Sequence, residues 1–154
     1  LNPNYPVYII SKGRHDTRLT SKALEKLNVP YLIAVEPQEY DLYAQHIDKD
    51  KILVLPFSNL GQGSIPARNF VWQHSIDNGY DRHWILDDNL DGFVRLNRNT
   101  KIPVADGTIF KCAEDFVDRY ENVALAGFDY RFFSKQRQLI TPRSSHSKGW
   151  RCLA

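Results

Sequence analysis

Two carboxylates and an amide stand side by side in this sequence, immediately after a run that belongs in a core. Trp84-Ile85-Leu86 reads as a short buried strand, and it passes directly into Asp87-Asp88-Asn89-Leu90-Asp91-Gly92-Phe93. Ionised groups are costly to strip of water without partners, so this strand end belongs at a cleft rather than in a core. Asp87 and Asp88 repel each other unless a cation lies close by. Hard divalent cations such as Mg²⁺ and Mn²⁺ take carboxylate oxygens together with the oxygens of a phosphorylated ligand. Metal binding at the adjacent pair Asp87 and Asp88 is therefore the first expectation. The plainer reading is an Asx-rich turn, which accounts for Asp91-Gly92 in either case but not for the adjacent pair before it. The spelling Asp87-x-Asn89-x-Asp91-Gly92 also opens like an EF-hand loop. That match ends at the twelfth position, where the required bidentate Glu is replaced by Arg98.

A second group precedes the acids. Gly61-x-Gly63-Ser64-Ile65-Pro66-Ala67-Arg68-Asn69 places a glycine-bearing loop before a helix start, where free backbone N–H groups can receive a phosphate. No Gly-Lys-Ser/Thr follows, so it is not a P-loop, and the dinucleotide spacing is absent. Arg68 on the first helical turn either binds a pyrophosphate or ribose through its guanidinium or is an ordinary surface arginine. A third group follows the first strand. In Ser11-Lys12-Gly13-Arg14 the two cations are placed to meet a diphosphate, and Glu36 after the second strand can accept a hydrogen bond from a base or sugar hydroxyl. The alternative is two solvated loop cations and a polar strand terminus.

These groups need a scaffold that brings strand ends together. Val7–Ile10, Tyr31–Val35, Ile52–Leu55 and Trp84–Leu86 are short apolar or β-branched runs bounded by turn residues and read as strands. Between them, a helix capped by Thr17 or Thr20 runs to Leu27 with Leu19, Ala23, Leu24 and Leu27 on one face. A weaker helix spans Gln38–Ile47, and a longer one runs from Ser64, as N-cap, to Asn78 before Gly79. Further on, Phe93–Leu96 reads as a strand and Thr108–Tyr120 as an amphipathic helix with Ile109, Ala113, Phe116, Val117 and Tyr120 inward. Val123–Phe128 reads as another strand. Alternating strands and helices predict an α/β fold with a parallel sheet and helices on both faces. In such sheets the ligand crevice lies at the carboxyl ends of the strands, where all three groups fall.

The 154 residues suffice for one domain. Apolar and charged fractions of 42% and 25% are those of a globular protein. No apolar run approaches the ~20 residues of a membrane span. Neither a basic leader with an apolar core nor a disulfide framework is visible, with only Cys112 and Cys152, both in apolar settings. The expectation is a cytoplasmic protein with reduced thiols. The net charge of +2 conceals an uneven distribution. Residues 1–130 hold fourteen Lys and Arg against eighteen Asp and Glu, whereas 131–154 hold six basic residues and no acid, interleaved with Phe132, Phe133 and Trp150. That basic, aromatic segment either contacts a polyanion such as nucleic acid or is a solvated loop. The domain reading is a core over 1–130 and this segment over 131–154.

The order Gly-loop, Ala67-Arg68-Asn69, helix, Gly79, then Trp84-Ile85-Leu86-Asp87-Asp88-Asn89 resembles glycosyltransferases of the GT-A (Rossmann-like) fold, which take a sugar from a nucleoside diphosphate donor. With Tyr5–Arg14 and Val35-Glu36-Pro37 added, the chain is similar to the TET-associated glycosyltransferases of phages, relatives of the glycosyltransferase-like domain of an oestrogen-responsive growth regulator. The resemblance covers most of residues 5–130. It implies Asp87 at the donor ribose and Asp88 on Mn²⁺ or Mg²⁺ as a DxD-type ligand, with Asn89 standing where a last Asp is usual. It also implies Arg68 near the diphosphate, and Ser11, Lys12, Gly13, Arg14 and Glu36 lining the nucleotide pocket. The implied donor is a UDP-sugar and the implied acceptor 5-hydroxymethylcytosine in host-cell phage DNA. Family domains usually extend further, so an acceptor-side half carrying the catalytic base is expected beyond these residues, and no base is named. The remaining alternatives are a protein or glycan acceptor, and a catalytically silent GT-A-like binding domain.

Overall fold

The computed structural model describes residues 1–129. Four parallel strands form its sheet: β1 (Val7–Ile10), β2 (Leu32–Val35), β3 (Ile52–Val54) and β4 (Trp84–Asp87), in the order β3-β2-β1-β4. Helix α1 (Leu19–Lys26) links β1 to β2. A 3-10 turn (Pro37–Glu39) and the short α2 (Tyr40–Ala44) lead towards β3, and α3 (Ile65–Asp77) precedes β4. The first three strands step outward, then the chain crosses back so that β4 pairs with β1, Val7 facing Trp84 and Ile10 facing Asp87. That reversal makes the carboxyl ends of β1 and β4 the switch point of the sheet, where a crevice opens. The result is a mostly parallel sheet flanked by helices, the GT-A-like Rossmann arrangement that the sequence predicted.

Alternation along β1 divides the core. Val7 and Ile9 join Leu24 and Leu27 of the α1 region, Ile33, Val35, Tyr43 and Phe110 on one face. Tyr8 on the opposite face packs with Ala34, Leu55, Ala67 and Val71, which brings α3 down on the sheet. A parallel sheet covered on both faces accounts for strands that read as nearly continuous apolar runs. Helix α3 is not amphipathic in the usual sense: Ile65, Trp72 and Ile76 are exposed on the face opposite Ala67 and Val71.

Several local expectations are corrected. Helix α1 is entered through Arg18 in a left-handed conformation, with no side-chain cap, and Leu19 lies outside the core. Thr20 is spent elsewhere, as described below. The helix expected over Gln38–Ile47 is only the 3-10 turn and α2, yet Tyr43 and Ile47 do enter the core. Ser64 occupies the N-cap of α3 without a capping hydrogen bond. The strand expected at Phe93–Leu96 is one arm of an antiparallel hairpin, β5 (Val94–Asn97) with β6 (Thr100–Pro103). Its turn, Arg98-Asn99, has φ of 46° and 65°, the mirror-image turn whose twist suits a two-residue hairpin. Arginine is an unusual occupant there, so the sequence did not announce the second arm.

Helix α4 (Thr108–Val117) is rotated from its expected face. Phe110 and Glu114 are buried with Ile109 and Val117, while Tyr120 lies past the helix and is exposed. Phe110 is drawn in by an aromatic cluster, meeting Trp84, Phe93 and Phe128 at ring-centre distances of 5.2, 5.2 and 5.3 Å. Val123–Phe128 does not form a strand. Phe128 stacks on Trp84 at 5.0 Å and Arg82 Nη1 donates to the Val123 carbonyl at 3.0 Å, so side chains rather than a ladder hold this run. Cys112 is an exposed thiol rather than one in an apolar setting. The basic segment 131–154, with Cys152, lies outside the described residues.

Candidate functional site

The carboxyl end of β1 and the turn after it form one wall of the site. Ser11 extends the ladder, its N–H reaching the Ala34 carbonyl at 3.1 Å. The chain then turns through Gly13 at φ +68°, a conformation that disfavours any side chain. The Gly13 N–H is held by Glu39 Oε1 at 2.7 Å. The Arg14 N–H is held by the Tyr43 hydroxyl at 3.2 Å. The 3-10 turn and α2 thus grip this turn from behind. Neither Glu39 nor Tyr43 was singled out from the sequence, because a Glu in a polar run and a Tyr at helical spacing carry no signal of their own.

The end of β4 forms the facing wall. Asp88 receives Ser11 Oγ–H on Oδ2 at 2.9 Å and the Arg14 guanidinium on Oδ1 at 2.9 Å. Asp87 receives Arg68 Nη2 at 2.6 Å, and Arg68 Nε donates to Ser64 Oγ at 3.1 Å. The cations that two adjacent acids call for are therefore present in the protein as two guanidiniums. Two carboxylates and an amide at the cleft are the hard-oxygen set that Mg²⁺ or Mn²⁺ accepts. Among the described residues, no group of three or more His, Cys, Asp or Glu is arranged to hold a metal by itself. A cation bound here would need oxygens supplied by its ligand.

The turn carrying the acids is pinned by Thr20. Its hydroxyl donates to the Asp87 carbonyl at 2.6 Å and accepts the Leu90 N–H at 2.9 Å, in a fully buried position at the start of α1. A cap-like threonine in the sequence is therefore a clasp between α1 and the acidic turn. Thr20→Val keeps the shape but removes both of these hydrogen bonds. The expected cost is about 2 kcal/mol in a denaturant melt, with Thr20→Ser close to wild type.

Glu36, at the end of β2, holds the rim. Its carboxylate meets Lys12 Nζ at 2.8 Å and Gln38 Nε2 at 2.5 Å, and accepts the Asn59 N–H at 3.2 Å; Lys12 Nζ also reaches Asn59 Oδ1 at 2.9 Å. Lys12 and Glu36 thereby tie the loop before α3 to the ends of β1 and β2. The Lys12 ammonium, seconded by Gln38 and the Asn59 N–H, holds the Glu36 carboxyl below the usual glutamate range against the opposing effect of burial. A lowered carboxyl pKa stabilises the fold fully above the unfolded-chain value of about 4.3, and that stability is lost as pH falls through the lowered folded value. Stability curves of wild type and Glu36→Gln should accordingly differ near neutrality and converge in acid. A constant gap across that range would rule out the ionised pair as the source.

Between these walls lies a cavity of about 350 Å³, at the lower end of the range of small-molecule sites. Ser11, Lys12, Arg14, Glu36, Asp87, Asp88 and Asn89 all border it, with Leu55, Phe57 and Leu60 as an apolar side. Two expected residues do not border it. Gly13 is turned towards Glu39, and Arg68 reaches the site only through Asp87. The ion pairs Lys12–Glu36 and Arg14–Asp88, with Asp87 beside them, line one cavity at the sheet's switch point. That arrangement can orient a ligand carrying both hydroxyls and phosphates. Among the described residues no helix is long and apolar enough to cross a membrane.

No curated protein and no solved structure gives a significant match to the chain. The family model of the TET-associated glycosyltransferases matches residues 5–147, which includes every residue of the cavity named above. With its parallel sheet, its acidic turn and that match across most of its length, the chain belongs to the TET-associated glycosyltransferase family, whose members are nucleotide-sugar-dependent enzymes.

Proposed function

We propose that the protein transfers a sugar from a UDP-sugar to the hydroxyl of 5-hydroxymethylcytosine in phage DNA. The observation that carries the donor half is the convergence of Lys12, Arg14, Asp87 and Asp88 on one cavity at the ends of β1 and β4. In this reading Lys12 and Arg14 face the diphosphate and Asp87 the ribose. Glu36 accepts a hydrogen bond from the base or a sugar hydroxyl, and Arg68 aims Asp87. Asp88, with Asn89 beside it, would hold Mn²⁺ or Mg²⁺, whose chemistry there is neutralisation of the diphosphate leaving group. Calorimetric titration of UDP with and without Mn²⁺ tests the donor site. Saturable binding strengthened by Mn²⁺ is expected, and absence of UDP binding under both conditions would overturn the reading.

Support for a nucleic-acid acceptor comes from the hairpin that leaves the acidic turn. Arg95 and Arg98 lie exposed on β5 and its turn, and no acidic residue occurs between Asp91 and Asp106. UDP release from a UDP-sugar should be stimulated by hydroxymethylated DNA and not by unmodified DNA. Equal release with both would remove this acceptor in favour of a protein or glycan. Neutralising Arg95 and Arg98 should weaken DNA binding and lower its salt slope by about one for each phosphate that an arginine had neutralised.

A further inference from the structure

We propose that Tyr43 is a positioning residue for Asp88, acting through the Ser11 hydroxyl. The Tyr43 ring is fully buried in the core beneath the site, where a phenylalanine would fill nearly the same space. Its oxygen, however, lies 2.6 Å from Ser11 Oγ, which in turn lies 2.9 Å from Asp88 Oδ2. Counting protons fixes the direction of this chain. The single Ser11 hydroxyl proton is donated to Asp88 Oδ2. Ser11 Oγ must then accept, and Tyr43 O–H must donate. The phenol's remaining acceptor capacity takes the Arg14 N–H at 3.2 Å. Burial, foremost, pushes the Tyr43 phenol above its ordinary range, so the proton that the chain needs is in place at neutral pH.

The chain closes on itself. Arg14 gives its backbone N–H to Tyr43 and its guanidinium to Asp88 Oδ1 at 2.9 Å, so one residue braces both ends. Asp88 is thereby held through both oxygens, with its plane fixed by two donors. A carboxylate has about four lone-pair directions, so further ones stay open towards the cavity. A core tyrosine thus translates the placement of α2 into the orientation of an acid just past β4, two places far apart in the sequence.

This inference rests on the reading of Asp88 as a donor-site residue, and the test separates the two. UDP binding with Mn²⁺ is measured by calorimetry for Tyr43→Phe, Ser11→Ala, the double variant and Asp88→Ala, alongside UDP-sugar kcat and KM and the thermal midpoint. Tyr43→Phe and Ser11→Ala are each expected to weaken binding about tenfold, as losing the support of a ligating group typically does. The double variant should be no worse than Ser11→Ala, because the chain is already broken there. Wild-type binding in Tyr43→Phe, or a loss that adds in full to that of Ser11→Ala, overturns the inference while a damaged Asp88→Ala leaves the donor reading standing. Wild-type binding in Asp88→Ala overturns both. A second measurement needs no change at position 43. The Tyr43 hydroxyl proton, followed by NMR in the ligand-free protein, should shift in Asp88→Ala, and an unmoved resonance would also sink the proposal.

Discussion

Replacing Asp88 with alanine is expected to lower kcat/KM for the UDP-sugar by about a hundredfold or more. The magnitude is that of removing one preorganised charged or hydrogen-bonding group from a reacting site. Two effects add in this protein. The oxygens that would hold the cation are removed, and Arg14 loses the carboxylate that aims it, because Arg14 Nη1 and Ser11 Oγ both converge on that side chain. Asp88 is only 16% exposed whereas the Arg14 side chain is 47% exposed, so the guanidinium keeps its solvation and loses its aim. Asp91, in the same acidic turn but exposed and outside the cavity, is the control, and Asp91→Ala should leave kcat/KM within about twofold. UDP affinity, measured in parallel, locates the loss. A drop in both affinity and turnover fits a donor-binding role, whereas retained affinity with lost turnover would move Asp88 towards the reacting carbon. Equal effects of the two substitutions would mean that the turn contributes only net charge.

The second large effect concerns stability and lies on the far side of the sheet. Glu114→Ala is expected to cost about 3–5 kcal/mol, because three N–H groups lose a charged acceptor and each hydrogen bond to a charged group is worth about 1.5–3 kcal/mol. Glu114 is 3% exposed, and its carboxylate accepts three N–H groups: Asn4 at 2.7 Å, Tyr5 at 3.2 Å and the Trp84 indole at 2.8 Å. It therefore fastens α4 to the segment entering β1 and to the first residue of β4. Alanine would leave the Tyr5 N–H and the Trp84 indole, both on half-buried residues, without this acceptor, whereas water can reach the exposed Asn4. For a domain of this size the thermal midpoint should fall by about 10 °C. Glu114→Gln keeps an acceptor but turns an NH₂ towards donors, so an intermediate loss is expected. Asp115→Ala, on the exposed side of the same helix, should cost under about 1 kcal/mol, although it removes an ion pair with Lys111. Matching melts for Glu114→Ala and Asp115→Ala would show that the buried acceptor does not matter.

The residues read most securely from the sequence are those whose chemistry conflicts with their surroundings. Asp87 and Asp88 follow an apolar strand with no local partner, and the conflict alone places them at a cleft. The four strands were legible because parallel strands buried on both faces are apolar without alternation, and β1, β2 and β4 are such runs. What failed failed for identifiable reasons. The second arm of the hairpin was hidden by Arg98, a residue that seldom takes the first left-handed position of such a turn. Val123–Phe128 has the composition of a strand, but composition cannot say whether an edge is available to pair with. The rotation of α4 depends on Trp84, Phe93 and Phe128 arriving from three other segments.

By itself, then, the sequence determined the α/β class, the strand ends that carry charge, and the family to which that pattern belongs. The first two follow from local order, in which apolar runs make strands, turns end them, and acids after a strand face a cleft; the family follows from resemblance. The tertiary structure alone decided how those charges are met. The guanidiniums of Arg14 and Arg68 sit on Asp88 and Asp87, Lys12 is committed to Glu36, and Gly13 faces Glu39 rather than the cavity. It also supplied the supporting residues Thr20, Tyr43 and Glu114, of which the sequence had suggested a role only for Thr20, as a helix cap. The physical reason is the same for all three. A hydrogen bond's partner is fixed by proximity in space, and bringing β1 beside β4 created proximities across 32 to 110 residues of chain that no local pattern encodes.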